Sequence, residues 1–165
     1  MNKRHVDHKD LIKDLETVLA ETDHKTETVK NGKIFKIKSK FPKTVLTITI
    51  TDKWVGYEFD IIDVQPHAKY LGSWLDTDNY PLNFDADVTL KIYDEVKQFL
   101  TDFINMNILF GLINGLPIIA KPIDDERYEV EKCYNTKWLK RVKTKRTELS
   151  IHDIQSISQL KPIKL

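Results

Sequence analysis

Cysteine is nearly absent from the chain: Cys133 stands alone among 165 residues. A single thiol excludes an intrachain disulfide and suits a reducing, cytoplasmic setting. With no Cys/His pairing in the sequence, Cys133 reads as an ordinary semi-buried thiol rather than a nucleophile. Long apolar runs are also missing. The densest patch, residues 108–119, is interrupted by Gly111, Asn114, Gly115 and Pro117. That pattern excludes a membrane-spanning helix there. The first residues, Met-Asn-Lys-Arg-His-Val-Asp-His, lack the apolar stretch of a signal peptide. Glycine is scarce, at 5 residues, while Lys, Asn, Ile and Asp are frequent. Such a bias is associated with AT-rich bacterial or phage genes.

Recognised catalytic and ligand-binding patterns are missing as well. There is no Gly-x-Ser-x-Gly elbow and no glycine-rich phosphate loop. Of the histidines, only His5 and His8 stand close together, in a charged terminal stretch. Asp76, Asp78, Asn79, Asp85 and Asp87 form an acidic group, but a calcium loop counted from Asp76 would put Pro81 where glycine is required. These acids read better as favouring the positive end of a following helix. Glu58 and Asp60, with Asp63 and His67 beyond, invite comparison with metal-dependent nucleases that use a Pro-Asp…(Asp/Glu)-x-Lys pattern; the lysine is missing. No catalytic residue, cofactor or metal is therefore expected, and a metal-dependent nuclease-like enzyme ranks third among the readings.

What is present is a globular composition, 41% hydrophobic and 31% charged. At this length a single α+β domain over residues 1–165 is expected. The net charge of +1 hides a contrast: from Lys132 onward nine Lys and Arg face Glu148 and Asp153, a local +7, which leaves −6 for the rest. Residues 132–146 hold seven basic side chains and no acid, with Tyr134 and Trp138 interleaved. Cations neutralise phosphates and aromatics stack on bases, so Lys137, Trp138, Lys140, Arg141, Lys143, Lys145 and Arg146 form a candidate nucleic-acid surface. A charged edge strand or a contact for an acidic protein explains the same pattern, and a pI near 7.8 does not mark a dedicated nucleic-acid binder.

Hydrophobic periodicity supplies the elements. Asp7 is placed to cap a helix ending near Thr22, with Leu11, Ile12, Leu15, Val18 and Leu19 on its apolar face. Asn31-Gly32 predicts a hairpin turn between strands at 26–30 and 33–40. Strands at 44–51 and 54–64 follow, then a weakly patterned stretch with a short strand at 69–75. If the turns at 40–43 and 52–53 are tight, Phe35, Ile37, Leu46, Ile48, Ile50, Val55, Tyr57, Phe59 and Ile61 share one face. The polar 26–30 strand reads as an edge. Asp85 or Asp87 caps a long helix over 87–111, or to Asn114-Gly115, whose broad stripe runs through Ile92, Val96, Phe99, Phe103 and Phe110. Strands at 116–121 and 127–133 follow, 137–145 extends the meander, and Ser150 with Asp153 opens a short helix stopped by Pro162.

The expected fold is thus a largely antiparallel sheet, a four-strand meander plus two or three C-terminal strands, with one long and two shorter helices mainly on one face. In element order alone this is similar to secretion-chaperone-like domains, a family of small dimeric binding modules; the resemblance implies partner binding and self-association. The first reading is a non-enzymatic binding or adaptor protein for a protein partner, able to form a homodimer and without a membrane. Tyr70, Trp74 and Tyr80 in the aromatic loop and Trp54 on the polar sheet face are its candidate binding residues, because aromatics anchor interfaces. Nucleic-acid binding through the basic segment is the alternative.

Overall fold

The computed structural model describes residues 7–64, 68–76, 86–135 and 146–165. The chain runs α1 (His8–Val18), β1 (His24–Val29), β2 (Gly32–Lys38), β3 (Thr44–Thr51), β4 (Trp54–Ile61), β5 (Ala68–Asp76), α2 (Ala86–Ile104), β6 (Leu109–Ile113), β7 (Leu116–Pro122), β8 (Arg127–Lys132), β9 (Tyr134–Asn135), β10 (Thr147–Ser150), α3 (Ile151–Ser156) and β11 (Lys161–Pro162). The fold is α+β with the N-terminal meander and three helices, one of them long. Its strands divide between two sheets, ordered β1-β2-β3-β4-β5-β9 and β10-β8-β7-β6-β11. All strand pairs whose register is resolved are antiparallel. Cα proximity separates two compact units: Met1–Lys38, Leu46–Glu58 and Gly72–Thr101 in the first, Ser39–Val45, Phe59–Leu71 and Asp102–Leu165 in the second. Among the described residues no helix is long and apolar enough to cross a membrane.

Alternation organises the meander. Along β3, Leu46, Ile48 and Ile50 are buried while Val45, Thr47 and Thr49 are half-buried. All nine apolar residues assigned to one face from the sequence are buried. In the first unit Tyr57 stacks on Phe99 of α2, centroids 4.5 Å apart. Asp7 caps α1 by accepting from the Lys9 amide at 2.9 Å. Leu11, Leu15 and Leu19 are buried, so α1, too short to persist alone, is held by its apolar stripe. The hydroxyl of Tyr93 fastens it to α2, donating to the Leu11 carbonyl and to Asp14, which also binds Lys97 at 2.8 Å. Burial, then the hydrogen bond to Asp14, pushes the Tyr93 phenol far above its ordinary pKa.

Several boundaries differ from the sequence expectation, α1 ending at Val18 rather than near Thr22 among them, and two of the differences have identifiable reasons. The β1–β2 turn is Lys30-Asn31, not Asn31-Gly32, because Val29 pairs with Gly32. Asn31 takes the positive φ, 60°. Gly32 is a strand residue, and glycine is needed there for space: a Cβ would lie 2.1 Å from the Ile50 carbonyl oxygen. The long helix ends at Ile104 rather than at Gly111 or Asn114-Gly115. Its stop is a Schellman motif with the Met106 amide on the Phe103 carbonyl (3.2 Å), the Asn107 amide on the Asp102 carbonyl (2.8 Å), and Met106 left-handed at φ 59°. Residues expected to prolong the helix form β6, and Asn114 and Gly115, with φ of 52° and 75°, make the turn into β7.

In the second unit Phe59 packs edge-on against Phe103, 5.6 Å between centroids. One face of the β6–β7–β8–β10 sheet is apolar. There Ala120, Ile154 and Leu160 are buried, with Leu109, Ile113, Ile118, Tyr128, Val130 and Leu149 packed around them. α3 carries Ile154 into that cluster and starts where expected, the Ser150 hydroxyl accepting from the Asp153 amide at 3.1 Å. It stops at Ser156, earlier than Pro162, which lies instead in β11, paired with β6. The 69–75 strand is present as β5 and the 127–133 strand as β8, while residues 137–145 lie outside the described ones.

Denaturant unfolding tests the need for glycine at position 32. Gly32→Ala should cost about 1–3 kcal/mol, the scale of overpacking, while Asn31→Gly keeps the positive φ accessible and gives up only the exposed side-chain bond to Asp52, about 1 kcal/mol or less. A near-neutral Gly32→Ala would show that β3 does not press on that backbone.

Candidate functional site

In the first unit, α1 and the end of the β1–β2 hairpin enclose an open groove of about 700 Å³. Its α1 wall is His8, Lys9, Ile12, Lys13 and Glu16, with Asp7 at the cap; Thr28, Val29 and Lys33 are among the residues opposite. The sequence dictates this wall. Leu11 and Leu15 are consumed by the core, so the positions a third of a turn away face outward over the hairpin. Lys33 crosses to Glu16 in an ion pair. The hairpin end is fixed to the β3–β4 turn: the Asn31 side-chain amide donates to Asp52 at 2.9 Å, and the Asp52 amide donates to the Asn31 carbonyl at 3.2 Å. Three lysines and three acids line the groove, a balance that suits a mixed-charge polypeptide better than a polyanion. Ile12 and Val29, both half-buried, add apolar surface.

In the second unit, the other face of the β7–β8 ladder is ionic. Lys121 stands opposite Glu129 in the ladder, and its ammonium lies 3.3 Å from the Glu129 carboxylate. Arg146, immediately before β10, sits 3.7 Å from Glu129 and 3.6 Å from Glu131. The Glu131 side chain is 2% exposed, and Glu129 Oε1 and Glu131 Oε2 take no hydrogen bond among the described residues. Burial raises the Glu131 carboxyl above its ordinary pKa; Arg146 opposes that shift, and so does a hydrogen bond with Tyr70. Tyr70 is buried, and the Lys121 ammonium lies 5.8 Å from its ring centroid. Cys133 is buried next in line on this face, and burial, reinforced by Glu131, pushes its thiol far above the ordinary range. A buried thiol of raised pKa fits a packing role.

The structure therefore distributes the residues singled out from sequence. Tyr70 and Arg146, assigned to different candidate surfaces, meet in the Glu131 cluster. Trp54 is half-exposed at the start of β4, its amide bound by the Thr51 hydroxyl at 2.8 Å. Trp74 belongs to β5, but its side chain, Tyr80, and Lys137, Trp138, Lys140, Arg141, Lys143 and Lys145 lie outside the described residues. Of the acids weighed for metal chemistry, Asp60 is 3.5 Å from Lys69, Asp63 accepts from the Lys43 amide at 2.7 Å, and Glu58 is exposed; His67 lies outside the described residues. Among the described residues no three His, Cys, Asp or Glu converge as a metal site. The groove and the burial of Glu131 were absent from the sequence reading. The alternation that places Glu129, Glu131 and Cys133 on one face of β8 follows from the strand expected at 127–133, but nothing in that pattern says which face is covered. Compared with family models, curated proteins and solved structures, the chain matches none.

The raised pKa of Glu131 has a definite sign. The native state keeps this proton where the unfolded chain has released it, so the group's contribution to stability falls as pH rises from 4.5 through the native pKa. Glu131→Gln should gain stability relative to wild type across that interval. Denaturation midpoints measured from acid to neutral pH that stay parallel for the two proteins would contradict it.

Proposed function

We propose that the chain is a non-catalytic binding protein that docks a protein partner on the α1/β1–β2 face. The carrying observation is the groove itself: open, charge-balanced, with apolar surface from Ile12 and Val29, and bordering a sheet-edge strand. Chemistry finds less support than binding. Among the described residues the one carboxyl raised above its ordinary pKa, Glu131, already lies beside Arg146, and Lys121 is held by the neighbouring Glu129. A reducing, cytoplasmic location fits the buried free thiol of Cys133. Affinity would come from burying Ile12 and Val29, and selectivity from matching the lysines and acids around them.

Capture from extracts of the native host tests this. Ile12→Glu with Val29→Glu replaces half-buried apolar surface by charge and should lower retention of a specifically captured protein about tenfold or more, with the circular dichroism spectrum unchanged. Equal capture of every protein by wild type and variant would count against this face.

A further inference from the structure

β1 ends the six-stranded sheet, and among the described residues no strand pairs with its outer side. Its backbone donors and acceptors on that side form a template for another strand. The side chains say which strand fits. In the β1–β2 ladder Lys25 stands directly opposite Lys36, a like-charge pair on the exposed face. Glu27 reaches Lys36 only diagonally, at 3.8 Å. Among the described residues Lys25 thus faces a like charge on its paired side and no strand on the other.

We propose that a second copy of this chain occupies that edge, β1 against β1, antiparallel about a two-fold axis at Thr26. This rests on reading the α1/β1–β2 face as a docking surface and names its occupant. In this register Lys25 of each copy faces Glu27 of the other, two symmetric opposite-charge pairs on the exposed face. Centring the axis at Lys25 or at Glu27 puts like charges together. A shift by one residue sets the exposed face of one strand beside the core side of the other. The self-complementarity of Lys25-Thr26-Glu27 therefore selects one register. It also brings His24 of each copy opposite Thr28 of the other, at the groove wall formed by Thr28 and Val29. Strand addition and groove are then two parts of one surface, and α1 of both copies lies on the same side of the joined sheet.

Sedimentation of the full chain over a concentration series tests the assignment. Wild type should dimerise reversibly. Lys25→Glu alone, or Glu27→Lys alone, turns both attractive pairs repulsive and should raise the dimer Kd about tenfold. The Lys25→Glu, Glu27→Lys exchange should bring it back to within about threefold of wild type, which a merely structural defect would not do. Thr26→Cys should cross-link two copies under mild oxidation, while buried Cys133 leaves wild type uncross-linked. A monomeric wild type, single variants that associate as well as wild type, an exchange variant that stays monomeric, or an uncross-linked Thr26→Cys each overturns the proposal. A monomer that still retains a host protein through Ile12 and Val29 overturns this inference alone and leaves the partner-binding reading in place.

Discussion

A change of backbone partner at Cys133 is the constraint on which the second unit depends. β8 hydrogen-bonds with β7 as far as Lys132, the Cys133 amide donates to the Pro117 carbonyl at 2.8 Å, and Tyr134 then pairs with Lys69 in the other sheet. One strand direction thus serves two sheets with a single residue between. Because side chains alternate, Glu129, Glu131 and Cys133 share a face. The partner change brings that face to Tyr70, two residues along β5 from the Ala68–Asn135 pair. A carboxylate at position 131 is therefore buried by topology and not by any preference of its own. Its compensation comes from neighbouring strands, Arg146 beside β10 and Tyr70 on β5. Such a group adds little net stability, since desolvation offsets attraction, but it disfavours arrangements that would strand it without a cation.

The meander was legible because one face of it is apolar at every second residue. β3, with Leu46, Ile48 and Ile50 separated by threonines, admits one orientation, and a slip by one residue would turn threonine inward. The caps at Asp7 and Ser150 were legible for a similar reason: a short polar side chain before an apolar stripe has one economical use. Where reading failed, one residue type had been asked to mean one thing. Glycine was taken as the marker of a positive φ, yet Gly32 is required by the nearness of Ile50, and the left-handed position that ends α2 is filled by Met106. β10 and β11 have four and two residues, too few to display a period. The groove was illegible because its walls come from separate elements, each unremarkable in isolation.

The charge contrast along the sequence also changes meaning in three dimensions. Arg146 belongs to the basic stretch by position but to Glu129 and Glu131 by contact. Part of the C-terminal positive charge is thus matched by acids within the same unit, so the local sum overstates the field at the surface. Glu148 and the β8 acids are close in space although seventeen or more residues of chain separate them, a relation that a running charge count cannot display.

The groove has one fixed jaw and one mounted jaw. The hairpin end is tied to the β3–β4 turn through Asn31 and Asp52. The opposite wall, α1, is an eleven-residue helix held by three leucines and the phenol of Tyr93. A helix of that length owes its order to docking and belongs to the low-stability end of the molecule, where local opening precedes global unfolding. Any occupant gripping both jaws binds only the docked form. It therefore slows solvent exchange of the α1 amides by mass action, so the same few leucine contacts that hold the helix also set how open the binding face is before anything arrives.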